Sequence, residues 1–299
     1  MTPSSHLSGL MLGLGAYGLW GVFPLFFHQL RHVPSLEVLT HRIIWSVILC
    51  LTILLIMGRW SRLRAALISK PLLKGLLASS MLVSANWLIY IWSVAEARVL
   101  EASLGYFITP LVSVFLARVF LQERMNRWQA AAVLLAATGV AWLLVRLGYL
   151  PWVSLSLAFT FGLYGLVRKR LEVDSLTGLT LETALLTPLA LAYAWWLAGS
   201  GQQSFLAIDI RTDGLLLACG LITATPLLLF AAAAKRLSLT VLGFLMYLNP
   251  SMQFLVALLV LGEPLNSDML VAFVFIWLAL LIFSIGALPG RRAQRSTVV

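Results

Sequence analysis

Charged residues are scarce in this chain of 299 residues, in which Asp, Glu, Lys and Arg together make up 11% of the sequence. A soluble globular protein carries about a quarter charged residues, which cover the surface that meets water. Here 61% of the residues are hydrophobic, and too few polar residues remain to form such a surface. The shortage excludes a soluble globular protein and indicates a chain whose solvent is lipid.

The sequence also lacks the motifs that would supply catalytic chemistry in a membrane. It contains no P-loop, HExxH or GxSxG pattern, which are common signatures of nucleotide hydrolysis, zinc proteolysis and serine hydrolysis. Residues 13–18 spell a glycine-rich dinucleotide loop, but that loop needs a preceding strand and a soluble βαβ unit. Because this stretch lies in an apolar run, we discard it and predict that the chain is not an enzyme.

Cysteine and histidine are also rare. Both cysteines, Cys50 and Cys219, lie in apolar runs, where a free cysteine usually acts as a small core residue. The four histidines show no metal-ligand spacing. The sequence therefore predicts no disulfide, no metal site and no cofactor.

The sequence contains ten apolar runs. Each is about as long as the roughly 20 residues that a helix needs to cross a bilayer. A membrane β-barrel would require alternating apolar and polar positions, and runs such as 49–56 do not alternate. The predicted fold is therefore an all-α polytopic membrane protein. The predicted spans are 8–28, 36–57, 72–95, 102–121, 128–145, 151–167, 175–197, 213–234, 240–261 and 268–288.

Basic residues fall mainly on one side of these spans. One set of connections, together with a basic tail at 289–299, holds most of the Lys and Arg. The opposite set holds only Arg31, Arg98, Arg146 and Arg211. The positive-inside rule places the richer side in the cytoplasm, so both termini are predicted to be cytoplasmic. The net charge of +10 follows from this placement and from attraction to anionic lipid, without a nucleic acid partner.

The chain repeats itself at a shift of 140 residues. Pro110, Ala117, Leu121, Glu123 and Asn126 recur as Pro250, Ala257, Leu261, Glu263 and Asn266. Near the start of each half, residues 20–23 resemble residues 161–164 at a shift of 141. Apolar composition alone would not place Pro, Glu and Asn in one register, so we infer an internal duplication.

Five spans in each half have a topological consequence. With an odd number, the second half enters the membrane from the opposite side, so residues 1–149 and 150–288 are predicted to be inverted five-helix repeats. Such repeats are typical of secondary transporters, because two packings of the halves expose one central site to either side in turn. The predicted architecture is therefore two inverted repeats around a central cavity, followed by the tail at 289–299.

Two ionisable residues are predicted to lie deep in the membrane, where a charge is costly and marks a functional candidate. Arg42 in the second span and Glu182 in the seventh correspond at the shift of 140. Either they bind a substrate head group, or they hold the halves together through neighbouring polar groups. Their opposite charges would suit a zwitterionic substrate. Glu182 and His41 are candidates for carrying a coupling proton.

Other polar and aromatic residues also lie in mid-span. Asn86 and Tyr90 are four residues apart and share one helix face, which lines a cavity or bonds a neighbouring helix. The remaining candidate cavity residues are Trp20, Tyr106, Tyr164, Tyr247, Asn249 and Gln253. Proline frees a backbone carbonyl, and helices broken at corresponding places point to a binding site. The candidate kinks are Pro24, Pro110, Pro226 and Pro250.

Six short sequence motifs, in this order along the chain, carry a resemblance to a known family. They are YGLWGVFP at 17–24, HRIIWS at 41–46, EASLGYFITPL at 101–111, TFGLYGLVRK at 160–169, LET at 181–183 and ATPLLLFAAAAK at 224–235. With the repeat, they resemble the EamA family of the drug/metabolite transporter superfamily, in its RarD-like branch. The resemblance implies a bacterial inner-membrane permease with a central cavity and with spans five and ten at the periphery.

The expected function is export of small amphiphilic metabolites or drugs by alternating access. The partners would be the small molecule, zwitterionic or amphiphilic, and membrane lipid, with a monomer as the default state. Two alternatives stay open at this point. The chain could be an uptake carrier or exchanger, since alternating access is reversible, or a membrane scaffold or regulatory subunit that transports nothing.

Overall fold

All regular structure in the described part of the chain is helical, as the sequence predicts. The computed structural model describes residues 3–120, 122, 126–148, 150–234, 236–237 and 245–287. The helices are α1 (Pro3–Gly21), α2 (Phe23–His28), α3 (Ser35–Ile56), α4 (Trp60–Ile68), α5 (Lys70–Ala95), α6 (Val99–Phe120), α7 (Arg127–Leu147), α8 (Trp152–Lys169), α9 (Ser175–Ser200), α10 (Ile210–Ala234), α11 (Leu248–Leu255), which a π-helical turn (Val256–Val260) continues, and α12 (Ser267–Ala287).

Eight of the described helical segments are long and apolar enough to cross a membrane. The sixth and ninth predicted spans correspond instead to shorter apolar helices, Trp152–Arg168 and Leu248–Val260. The start of the ninth predicted span lies outside the described residues, as do Leu121, Glu123 and the tail at 289–299. The chain is thus a polytopic helical protein, and the number of ten spans stays a prediction.

The first predicted span, 8–28, is not one continuous helix, because α1 ends at Gly21 and α2 begins at Phe23. Pro24 has no N–H to offer the carbonyl of Trp20 four residues earlier. The side-chain amide of Gln253 donates to that carbonyl instead, at 3.3 Å. Gly21 is needed beside the break, since a Cβ there would lie 2.6 Å from the Cβ of Met252 on α11.

One helix was not anticipated by the span prediction. The amphipathic α4 lies in the basic connection between the second and third predicted spans. It buries Leu63 and Ala66 and leaves Arg62 and Arg64 exposed. Two buried side chains in nine residues are too few for a hydropathy search to detect.

The centre of the bundle is α3, which packs against α5, α9 and α10. Around it, α1 packs against α10 and α11, while α8 packs against α5 and α6. α7 and α12 pack against each other. α3 and α10 come very close, because a Cβ on Gly220 would lie 2.6 Å from the backbone carbonyl of Trp45. This close approach brings the polar side chains of both helices together.

Candidate functional site

Arg42 lies in the middle of the bundle on α3 and is 4% exposed. Its Nε donates to the hydroxyl of Thr223 on α10 at 2.9 Å, and its guanidinium lies 4.0 Å from the ring centre of Trp87 on α5. The rings of Phe23 and Phe27 on α2 lie at 5.9 and 5.6 Å. No carboxylate of the described residues lies within 4.0 Å of Arg42. Its contacts therefore hold the cation without neutralising it.

Glu182 lies on α9, is 1% exposed, and has partners for both carboxylate oxygens. Ser79 on α5 donates to Oε1 at 2.6 Å, and the hydroxyl of Tyr164 on α8 donates to Oε2 at 3.3 Å. Arg168, also on α8, places its Nε 3.7 Å from Oε1. Burial of a charge is tolerated when it is paired and hydrogen-bonded. Glu182 meets both conditions within the protein.

A series of aromatic rings, here called the aromatic wall, connects the two charged groups. The wall comprises Phe27, Tyr90, Tyr106, Phe161 and Tyr164, with successive ring centres 5.8–6.2 Å apart. It begins beside the Arg42 guanidinium and ends at the hydroxyl that donates to Glu182. Such rings offer flat apolar surface with only a few polar groups, as small-molecule sites do.

Asn86 holds the middle of the aromatic wall. Its amide donates to Thr160 at 2.9 Å and to the carbonyl of Leu157 at 3.0 Å, both on α8. Its Oδ1 accepts from the hydroxyl of Tyr106 at 3.2 Å. Of the two roles open from the sequence, the structure shows the bond to a neighbouring helix. Asn86 thus fixes Tyr106, while the buried hydroxyl of Tyr90 has no partner among the described residues.

The remaining candidates lie apart from the aromatic wall. Gln253 donates to Asn249 at 2.7 Å as well as to the carbonyl of Trp20. Trp20 packs against Tyr17 and Phe230, with ring centres 5.5 and 6.1 Å away. Tyr247 is partly buried against the core. This second cluster joins α1 to α11.

His41 accepts a hydrogen bond on Nδ1 from the indole of Trp45 at 3.1 Å, and its ring lies 4.6 Å from that of Phe205. These contacts are typical of an interface histidine, and its role in proton coupling stays a prediction.

Pro110 and Pro226 lie inside α6 and α10, and Pro250 lies near the start of α11. For Pro24, the carbonyl that the proline leaves free is that of Trp20, and it accepts from Gln253.

At one end of the bundle, here called the closed end, buried carboxylates connect segments that are distant in sequence. Glu37 in the first turn of α3 accepts from the backbone N–H groups of Ser204 and Phe205 at 2.6 and 3.1 Å. Glu263 accepts from the N–H groups of Val99 and Leu100 at 2.7 and 2.8 Å. Burial raises the pKa of Glu263 above its ordinary value, although these backbone donors oppose the shift. Each carboxylate joins residues far apart in sequence.

The other end contains a cavity of about 470 Å³ between α3, α9 and α10. Its charged lining among the described residues consists of Arg59, Arg62, Arg236 and Asp174. Partial burial opposes ionisation of Asp174, but hydrogen bonds from Thr177 and the charge of Arg62 lower its pKa below the ordinary value.

The inner limit of the cavity includes Cys50 and Ala224, and none of the predicted site residues lines it. Cys50 lies about two helical turns, or roughly 12 Å, along α3 from Arg42. The cavity therefore points towards Arg42 from the end opposite to Glu37.

The EamA-like transporter family matches this chain twice, at residues 7–145 and 150–285. The chain belongs to this family. The match to its RarD-like members is close. A protein called RarD of Escherichia coli (strain K12) is 42% identical over 98% of this chain and 99% of its own length. An uncharacterized transporter of Vibrio cholerae is 43% identical over 99% of this chain and 98% of its own length.

The fold of this EamA family member also occurs in a solved structure. The superposition with that crystal structure covers 96% of this chain and 99% of the matched chain, with a TM-score of 0.62 and 19% sequence identity. Taken with the family match and the apolar helices, this makes the chain a multi-pass membrane transporter of bacterial type, and the predicted resemblance is confirmed.

Within this EamA family protein, sequence reasoning missed the groups that pair with the buried charges. The sixth predicted span ends at 167 and so leaves Arg168 in a basic connection, but its side chain turns inward from the last turn of α8 towards Glu182. Thr223, Ser79 and Trp87 gave no signal, because hydroxyls and aromatics are common in spans. Glu37 resembled an ordinary acidic residue in a first helical turn.

Proposed function

We propose that this EamA family protein is a secondary-active permease that exports small amphiphilic molecules across the bacterial inner membrane. The observation that carries the proposal is the aromatic wall between a buried cation and a buried carboxylate, located between the cavity and the closed end. Such an arrangement offers an amphiphilic molecule both an apolar surface and polar anchors. It also favours transport over a scaffold, because Arg42 has no carboxylate partner among the described residues and is not half of a structural ion pair.

Alternating access between inverted repeats is the proposed mechanism. In this arrangement ten spans pair as five and five, with α1, α3, α5, α6 and α7 corresponding to α8, α9, α10, α11 and α12. Reciprocal packing supports the pairing. α1 contacts α10 and α8 contacts α5, while α3 contacts α10 and α9 contacts α5. A pseudo-two-fold axis would exchange the members of each pair.

The conformation in hand is proposed to be the one that faces the cytoplasm. The cavity end carries Arg59, Arg62 and Arg236, and the positive-inside rule assigns such an end to the cytoplasm. The two carboxylate contacts of the closed end would then seal the outer side, and both termini would be cytoplasmic. Export requires Glu37 and Glu263 to release their backbone partners as the cavity closes.

Energy for export would come from the substrate gradient or from a proton. Glu182 is the proposed proton carrier, since protonation would release its hold on Arg168 and so couple charge to the packing of α8 and α9. The partners are the transported molecule and membrane lipid, and the monomer suffices for this mechanism.

The test compares metabolites inside and outside cells that lack the gene, overexpress it, or express Arg42→Leu at matched membrane levels. Arg64→Leu is the control, because Arg64 is exposed and also lies near a tryptophan ring, that of Trp60 at 5.9 Å. Export predicts a compound that is retained without the gene, enriched outside with it or with Arg64→Leu, and unmoved by Arg42→Leu. Accumulation inside on overexpression would indicate uptake instead, and no difference in any strain would contradict transport.

A further inference from the structure

We propose that the transported molecule is an organic monoanion whose carboxylate or similar oxyanion binds Arg42 and the hydroxyl of Tyr90. Its apolar, aromatic body would lie along the aromatic wall. The proposal rests on the proposed function and names the substrate class of that same site. It also replaces the zwitterion expected from the sequence with a molecule of single negative charge.

The first step in the argument is the charge balance of the buried site. Glu182 and Arg168 neutralise each other, whereas Arg42 has no carboxylate partner among the described residues. One positive charge therefore remains in the middle of the bundle. An ion that is buried without a counterion destabilises the protein, and an anionic ligand would offset that cost on binding.

The second step is the geometry of the guanidinium. Its Cζ lies 4.0 Å from the centre of the Trp87 ring, and its Nε donates to Thr223. The two terminal nitrogens of Arg42 have no hydrogen bond to a described residue, and they are the donors that a carboxylate binds in bidentate fashion. The contacts with Trp87 and Thr223 hold the guanidinium in place before the ligand arrives. Arg42 is thus oriented as an oxyanion receptor.

The third step is the unused hydroxyl of Tyr90, which is a 3% exposed residue. Of the three tyrosines in the aromatic wall, Tyr106 donates to Asn86 and Tyr164 donates to Glu182. The Tyr90 hydroxyl alone has no partner among the described residues. The Tyr90 ring lies 6.0 Å from that of Phe27, whose centre lies 5.6 Å from the Arg42 guanidinium. A buried donor in the same cluster as an unpaired cation is suited to an oxyanion.

The fourth step is that, among the described residues in contact with the aromatic wall, no free carboxylate is available for a substrate ammonium group. Both oxygens of Glu182 are occupied, and a second cation there would have to displace Arg168. The buried Nη1 of Arg168 is itself unpartnered, so it too would favour an anion. At the cavity, Asp174 already lies 3.9 Å from Arg62, so the entrance is positive and would attract anions.

The test measures equilibrium binding of radiolabelled benzoate to the full-length protein in lipid nanodiscs. Its competitors are benzamide, benzylammonium and phenylalanine, which keep the ring and change the charge. We expect benzoate to bind and each competitor to displace it at least about tenfold less effectively, a loss of about 1.4 kcal/mol or more. Arg42→Leu should abolish benzoate binding and Tyr90→Phe should weaken it several-fold, while Arg64→Leu should leave it unchanged.

Several outcomes would overturn the proposal. They are no binding of benzoate by the wild type at millimolar concentration, equal competition by benzamide, preference for benzylammonium or phenylalanine, and wild-type affinity in Tyr90→Phe. Tyr90→Phe decides the matter if Arg42→Leu elutes as aggregate. Arg42-dependent export in cells without benzoate binding would reject the anion and leave the permease standing. Benzoate binding without transport of any compound would reject the permease.

Discussion

Arg42 and Glu182, which correspond in the predicted repeat, have different surroundings in the structure. Glu182 is surrounded by Ser79, Tyr164 and Arg168, which supply hydrogen bonds and an opposite charge. Arg42 is surrounded by Trp87, Phe23 and Phe27, with a single hydroxyl partner.

The difference originates at two corresponding positions. At a shift of 141 residues, Phe23 corresponds to Tyr164 and Phe27 corresponds to Arg168. The first half therefore places two apolar rings where the second half places a hydroxyl and a cation. In the predicted repeat, the position of each buried charge is kept while its neighbours differ, so that the second half completes its own charge balance and the first half does not.

The largest expected effect comes from replacing each charge by leucine. Glu182→Leu should destabilise the protein by about 3–5 kcal/mol, because Arg168 loses the counterion of a mostly buried pair. Arg42→Leu should be neutral or stabilising, since it removes a charge that has no partner. Thermal denaturation of both variants in the same detergent measures the contrast. Equal losses in the two variants would mean that Arg42 has a stabilising partner after all.

The double variant Glu182→Leu and Arg168→Leu provides the matched control. Removing both members of a buried pair is much less costly than removing one, so the double variant should regain most of the stability that Glu182→Leu loses. A double variant no more stable than Glu182→Leu would show that Arg168 does not depend on Glu182.

A smaller effect is expected from Gly178→Ala. A Cβ at this position of α9 would lie 2.6 Å from Cζ of Arg168, so the guanidinium must shift from its present position beside Glu182. We expect a loss of about 1–3 kcal/mol, as for other overpacked sites. The control is Gly165→Ala on α8, where a Cβ would meet nothing within 4 Å. Thermal denaturation compares the two, and a neutral Gly178→Ala would contradict the tight placement of Arg168.

The smallest effect concerns the closed end and its dependence on pH. Because burial raises the pKa of Glu263 in the folded state, this group stabilises the fold fully below its unfolded pKa. That contribution is lost as the pH rises through the folded pKa. The stability of the wild type relative to Glu263→Gln should therefore fall as the pH rises above about 4.5. Denaturation of both proteins across this pH range measures the effect. A relative stability of the wild type that increases with pH would contradict the prediction.

Much of this arrangement could be predicted from the sequence, because hydropathy and a repeat in register are properties of the chain itself. The helical membrane fold and the burial of Arg42 and Glu182 follow from such patterns, while the family was indicated by the resemblance of six short sequence motifs. The partner of a buried charge depends on how each helix is rotated about its axis, and hydropathy does not determine that rotation. Arg168 illustrates the limit, since a basic residue at a helix end ordinarily extends towards the membrane surface.

The unpaired Arg42 also has an electrical consequence. An empty site that carries one positive charge responds to the membrane potential, which acts on a charge crossing the full field with about 2.3 kcal/mol per 100 mV. A site neutralised by a bound monoanion does not respond. With the cell interior negative, the field would draw the empty site back to the cytoplasmic side and leave the loaded site free to turn outward. The voltage would thus favour the return step of the cycle, in addition to the energy source proposed above.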